Sequence, residues 1–151
     1  MRQHKEGKTK TISQILGARI GIVVSVSPTE SVHYALQLMA EHEVGALLVI
    51  EHGGLVGILS ERDYARKVVL KDKLSQDTRV REIMVDRVIC ATLEMSVGEA
   101  MAIMIEYQIR HLPVLDDIKD VVGIVSMRDL VEETITEQTF VIRQLEHYIT
   151  M

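Results

Sequence analysis

The sequence predicts an α+β fold in which two pseudo-symmetric β-α-β-β-α units pack sheet to sheet and a C-terminal helix follows. Three observations carry this. Apolar runs of strand length, rich in Val and Ile, alternate with stretches whose apolar residues recur three and four apart, as on one face of a helix. The whole order is then written a second time. Finally, a unit of about 60 residues buries only about 60% of the surface of its unfolded chain, so each copy needs the other.

The duplication is read by shifting the chain along itself. At a shift of 65, Ser31, Val32, Ala35, Met39, Glu41, Leu47 and Val49 meet identical residues. One extra residue in the second hairpin turn moves the shift to 66, and Val56, Gly57, Ile58, Ser60, Arg62 and Asp63 then match as well. An insertion confined to a surface turn leaves the core register untouched.

Residues 1–10 read as a flexible leader, polar and basic and without the apolar stretch of a signal peptide. The first unit, 11–70, starts with a short helix over Thr11 to Leu16 that stops near Gly17, then a strand over Ile20 to Val26. Ser31 caps a helix whose buried face is Val32, Ala35, Leu36, Met39 and Ala40. Val44 to Ile50 and Leu55 to Leu59 form a hairpin across Glu51-His52-Gly53-Gly54, and a helix runs from Arg62 to about Leu70. The charged, apolar-poor stretch 71–79 reads as a linker. The second unit, 80–132, repeats the order with a helix over Val80 to Met84 and a strand over Val88 to Ala91. A helix opened by the box Ser96-Val97-Gly98-Glu99 buries Val97, Ala100, Met101, Met104 and Ile105, and the hairpin Ile109 to Leu115 and Val121 to Val125 follows. Residues 133–151 place Ile135, Val141, Ile142, Leu145, Tyr148 and Ile149 among charges. They read as an amphipathic helix that packs on its own chain or on a second subunit.

The most informative segment is Gly57-Ile58-Leu59-Ser60-Glu61-Arg62-Asp63, which returns as Gly123-Ile124-Val125-Ser126-Met127-Arg128-Asp129. Each copy ends an apolar strand at a serine and starts a helix. Ser-x-x-Asp is a capping pattern, with Ser60 or Ser126 as N-cap and Asp63 or Asp129 at the third helical position. A cap needs no arginine, however, and both copies carry one beside the aspartate. Hydroxyl, cation, carboxylate and the free N–H groups of a helix N-terminus together suit a phosphate, with the carboxylate available for neighbouring hydroxyls.

Composition narrows the function. The hydrophobic fraction of 47% supports a packed core, and the net charge of −5 argues against nucleic-acid or anionic-membrane binding. A single cysteine, Cys90, precludes an internal disulfide and fits a reducing cytoplasm. The six histidines show no metal-ligand spacing, and His111 alone adjoins another basic residue at an expected cleft strand. Neither a P-loop nor a dinucleotide glycine fingerprint is present.

With these segments in place, the chain resembles a stand-alone tandem pair of cystathionine β-synthase (CBS) domains, the Bateman module. The resemblance rests on Val-Gly-Ile-Leu-Ser-Glu-Arg-Asp, Val-Gly-Ile-Val-Ser-Met-Arg-Asp and Ile-Arg-His-Leu-Pro-Val at 109–114, and covers about Ile12 to Glu132. It implies an adenosine ligand held between the repeats and a regulatory role. By that resemblance Asp63 and Asp129 meet the ribose, Ser60 and Ser126 supply hydroxyls, and Arg62 and Arg128 meet phosphate. Arg110 and His111 add basic groups before Leu-Pro-Val, where the first repeat has Gly45 and Ala46, so the two clefts are expected to differ. Ser25 and Cys90 fall where the first strand of a repeat lines the adenine pocket. Val85 stands where the family often has threonine, which weakens one polar contact to the second-repeat ligand.

The expected function is therefore a homodimeric, cytoplasmic adenine-nucleotide sensor acting on a regulated protein. AMP ranks first as ligand, then ATP or ADP, then NAD(H), with no catalytic cofactor, metal, nucleic acid or membrane. An adaptor without ligand is the alternative. A small nucleotide hydrolase ranks below both, because no nucleophile–base pair stands out.

Overall fold

The computed structural model describes residues 10–135 together with Arg143 and Glu146. The expected leader, except Lys10, and the expected tail helix beyond 135, except those two residues, lie outside the described residues.

Each repeat is a three-stranded sheet with helices. In the first, β1 (Ser25–Val26) pairs parallel with β2 (Ala46–Glu51), which pairs antiparallel with β3 (Gly54–Ser60). The second repeats this with β4 (Ala91–Thr92), β5 (His111–Leu115) and β6 (Val121–Ser126). The long helices α2 (Val32–His42) and α5 (Val97–Tyr107) start on Ser31 and Ser96, whose hydroxyls accept from Tyr34 N and Glu99 N. Both buried faces follow the expected spacing, Val32, Ala35 and Met39 matching Val97, Ala100 and Met104. Ala40 and Ile105 are corrections: both are exposed.

The strand expected over Ile20 to Val26 shrinks to its last two residues, and the one over Val88 to Ala91 moves to Ala91–Thr92. β-branched residues favour strands only where a partner edge exists. Here Ile20 N and Ile22 N bond locally to Gly17 O and Arg19 O in a 3-10 turn, and Gly21 N reaches Val122 O across the molecule.

The largest departure concerns the short helices α1 (Ile12–Leu16) and α4 (Val80–Ile83). Each packs into the core of the repeat to which it is not adjacent in the duplicated pattern. Ile12 and Leu16 are buried among Ala91, Val97, Met104, Leu112, Val125 and Leu130 of the second repeat. Val80 and Ile83 are buried among Val26, Val32, Met39, Leu47 and Leu59 of the first. Main-chain bonds secure the exchange: Ile12 N to Met95 O at 2.9 Å, Val97 N to Lys10 O at 3.1 Å, and Val80 N to Glu30 O at 2.9 Å. The stretch 71–79 takes part as well. Ser75 O and Thr78 O accept from His33 N and Val32 N, satisfying the open first turn of α2.

The crossing segments also explain the glycine of the duplicated motif. A Cβ on Gly57 would lie 2.7 Å from Met84 Sδ and 3.0 Å from Val85 O. On Gly123 it would lie 3.0 Å from Leu16 Cδ1. In both copies the glycine makes room for the end of the exchanged helix, and Ile58 and Val85 trade main-chain bonds of 3.0 and 2.9 Å beside it.

Candidate functional site

The exchange carries Val85, Arg87, Val88 and Ile89 onto the first repeat, and a cleft opens between them and β3, the N-terminus of α3 (Glu61–Lys67) and the start of β5. The cleft encloses about 500 Å³, within the range of small-molecule sites. Its lining includes the aliphatic side chains of Ile58, Val85, Val88, Ile89 and Ile109, with charged residues beside them.

Ser60, Arg62 and Asp63 line this cleft together with Arg110 and His111, so residues of two repeats converge on one site. Ser60 caps α3. Asp63 N donates to Ser60 Oγ at 3.2 Å, and Asp63 Oδ2 accepts from Ser60 N and Ser60 Oγ, each at 2.9 Å. Asp63 Oδ1 lies 3.1 Å from Lys67 Nζ, which also donates to Ile83 O at 2.9 Å. The carboxylate is thus a cap through one oxygen, and its other oxygen meets only a partly exposed ammonium. Gly45 also lines the cleft, and the space beside it would take a Cβ at ordinary contact distance. A Cβ there would stand 3.6 Å from Glu61 Oε1 and 3.8 Å from the His111 ring.

The second corner has the same cap and different surroundings. Asp129 N donates to Ser126 Oγ at 3.1 Å, and Asp129 Oδ2 accepts from Ser126 N at 2.9 Å. Arg19 Nη2 stands 3.8 Å from the same Oδ2. Arg128, expected at phosphate, points outward along the helix that spans 127 to 135. Its Nε donates to Glu132 at 3.0 Å, one turn on. Ser25 is exposed on β1, and Cys90 is half-buried just before β4. Neither lines the cleft, because the stretch before β4 enters it through Val88 and Ile89. Burial pushes the Cys90 thiol up, which favours its protonated form. Among the described residues no group of three potential metal ligands gathers.

Three cations were not singled out from the sequence. Arg66 and Lys67 follow Arg62 and Asp63 by one helical turn, so periodicity alone places them on the same face. Arg87 carries no such signal, since it arrives through the exchange.

Burial holds His111 below the ordinary imidazole range; the Asp129 carboxylate opposes this and Arg110 adds to it. The unfolded chain therefore takes up this proton more readily than the folded one. The resulting stability is complete above the unfolded value of about 6.5 and is lost as pH falls through it toward the lower folded value. Urea unfolding is expected to show stability declining as pH falls below about 6.5, with part of the decline absent in His111→Gln. An unchanged profile in that variant would remove His111 as the cause.

Comparison with known proteins agrees with this architecture. The family model "CBS domain" matches twice, at residues 22–70 and 80–135. The chain is 38% identical over 125 residues to the mitochondrial CBS domain-containing protein CBSX3 of Arabidopsis thaliana, covering 80% of this chain and 60% of the plant protein. A CBS-domain protein from Burkholderia ambifaria superposes with a TM-score of 0.82 at 43% identity, covering 85% of this chain and 96% of that one. The CBS domain pair of protein MJ0100, solved with 5′-methylthioadenosine and S-adenosyl-L-methionine, superposes with a TM-score of 0.75 at 27% identity, covering 85% and 98%. Two repeats of one architecture, each completed by the other's leading helix, thus carry a recognisable signature in both halves, and the chain belongs to the CBS domain family.

Proposed function

We propose that the chain is a regulatory module that binds an adenine nucleotide in the Asp63 cleft and signals its occupancy to another protein. One observation carries the reading. A carboxylate with a replaceable partner lines the same cleft as several aliphatic side chains and arginines, the groups that a nucleoside with an anionic end requires. Asp63 Oδ1 accepts from the ribose hydroxyls in place of Lys67, a charge-assisted pair of bonds. The adenine lies against Ile58, Val85, Val88 and Ile89, and Arg62, Arg110 and His111 meet the phosphate. Ser60 keeps Asp63 in position through the cap. Asp129 and Ser126 form a second corner of weaker cationic character. The adenosine compounds bound by the MJ0100 pair support the ligand class.

Because the cleft contains residues of both repeats and of the exchanged segment 85–89, a ligand that draws them together changes the surface offered to a partner. The exposed Ile105 and Tyr107 on α5 suit self-association as a homodimer. In the cleft the Ser60 hydroxyl and the Asp63 carboxylate are tied to each other as a helix cap, which favours binding over turnover.

A thermal melt tests this. AMP, ADP, ATP or NAD(H) at 100 times its Kd is expected to stabilise the protein by about 2.7 kcal/mol, a shift of several degrees. If none of them moves the transition, the adaptor reading replaces this one.

A further inference from the structure

Four arginines reach the Asp63 cleft from three parts of the chain: Arg62 and Arg66 on α3, Arg87 on the exchanged segment, and Arg110 before β5. Among the described residues, no carboxylate lies within ion-pairing distance of any of them. The lining carboxylates are Glu61 and Asp63, and the latter is already engaged by Lys67. Guanidinium groups stay charged under all ordinary conditions. The cleft therefore concentrates unbalanced positive charge in a chain whose net charge is −5.

The second corner is the reverse. At the shift of 66, Arg66 and Lys67 correspond to Glu132 and Glu133. Three cations are paired with carboxylates there: Arg19 with Asp129, Arg128 with Glu132, and Lys10 with Glu133. The duplicated cap has been kept while the charge one turn further on has been inverted.

We infer that the Asp63 cleft selects a nucleotide carrying two or more phosphates, one per chain, and that the Asp129 corner does not take such a polyanion. The inference rests on the nucleotide reading above and places ADP and ATP ahead of AMP. A single phosphate can engage one or two guanidinium groups in bidentate fashion and leaves the others repelling each other. A longer phosphate chain spans them. Arg66 and Arg87 are then the specificity-determining residues, since Arg62 is common to both repeats.

Isothermal titration of the purified full chain with ATP, ADP, AMP, adenosine and inorganic tripolyphosphate tests this. ATP is expected to bind at one site per chain at least about tenfold more tightly than AMP, the scale of one charged hydrogen bond, and to lose affinity more steeply with added salt. Arg66→Ala and Arg87→Ala are each expected to weaken ATP more than AMP and so erode that preference. Both side chains are exposed, and a melt identical to that of the parent protein confirms that the variants are folded. AMP binding as tightly as ATP, or two equal ATP sites per chain, would overturn the inference and leave the nucleotide reading standing. Tripolyphosphate binding without any adenosine compound would overturn both, because the site would then be a bare anion trap.

Discussion

Replacing Ile12 by alanine is expected to destabilise the protein by about 2–5 kcal/mol, the range for truncating a fully buried aliphatic side chain. Ile12 has no exposed surface although it lies near the beginning of the described chain. Its cost should appear in the second repeat, because the side chain fills the core formed by Leu112, Val125 and Leu130. Urea unfolding gives the magnitude, as a lowered midpoint at constant slope. Hydrogen exchange gives the location. Amides of β5 and β6 should lose protection before those of β2 and β3. Loss beginning in the first repeat, or a cost below about 0.5 kcal/mol, the level of an ordinary surface change, would contradict the exchange of helices.

The second large effect concerns Asp63. Asp63→Asn keeps an oxygen for Ser60 N and removes the charge that would hold ribose hydroxyls. Nucleotide affinity is expected to fall by about 1.5–3 kcal/mol, the worth of hydrogen bonds to an ionised group, with the melt nearly unchanged. Asp63→Ala removes the cap as well, and stability should fall by a further 0.3–1.5 kcal/mol or so. The two variants separate the roles that the geometry superimposes on one carboxylate. Normal nucleotide affinity in Asp63→Asn, with only Asp63→Ala impaired, would reduce the residue to a helix cap.

Both effects depend on features of different legibility. The caps could be read directly, because Ser60 and Asp63 are three residues apart and a capping box is a local object. The hairpins were legible for the same reason: alternation and turn residues act over a few positions. His111 was placed in the cleft by resemblance, and its contacts with residues of the first repeat follow from packing. Arg128 shows the limit of transfer by motif. It matches Arg62 in sequence, yet Glu132 stands one turn on where Arg62 is followed by Arg66, and the side chain turns outward to its acid.

What the amino-acid order determined by itself was the duplicated unit, its strands and long helices, and the two capped corners, since each is set by spacing within one segment. What only the tertiary structure decided was which repeat receives α1 and α4, and hence which arginines meet at Asp63. Helices of five and four residues display an apolar side without naming its partner. Two pseudo-symmetric cores offer nearly equivalent seats, and the choice between them is made by long-range main-chain bonds such as Ile12 N to Met95 O, which no local pattern records.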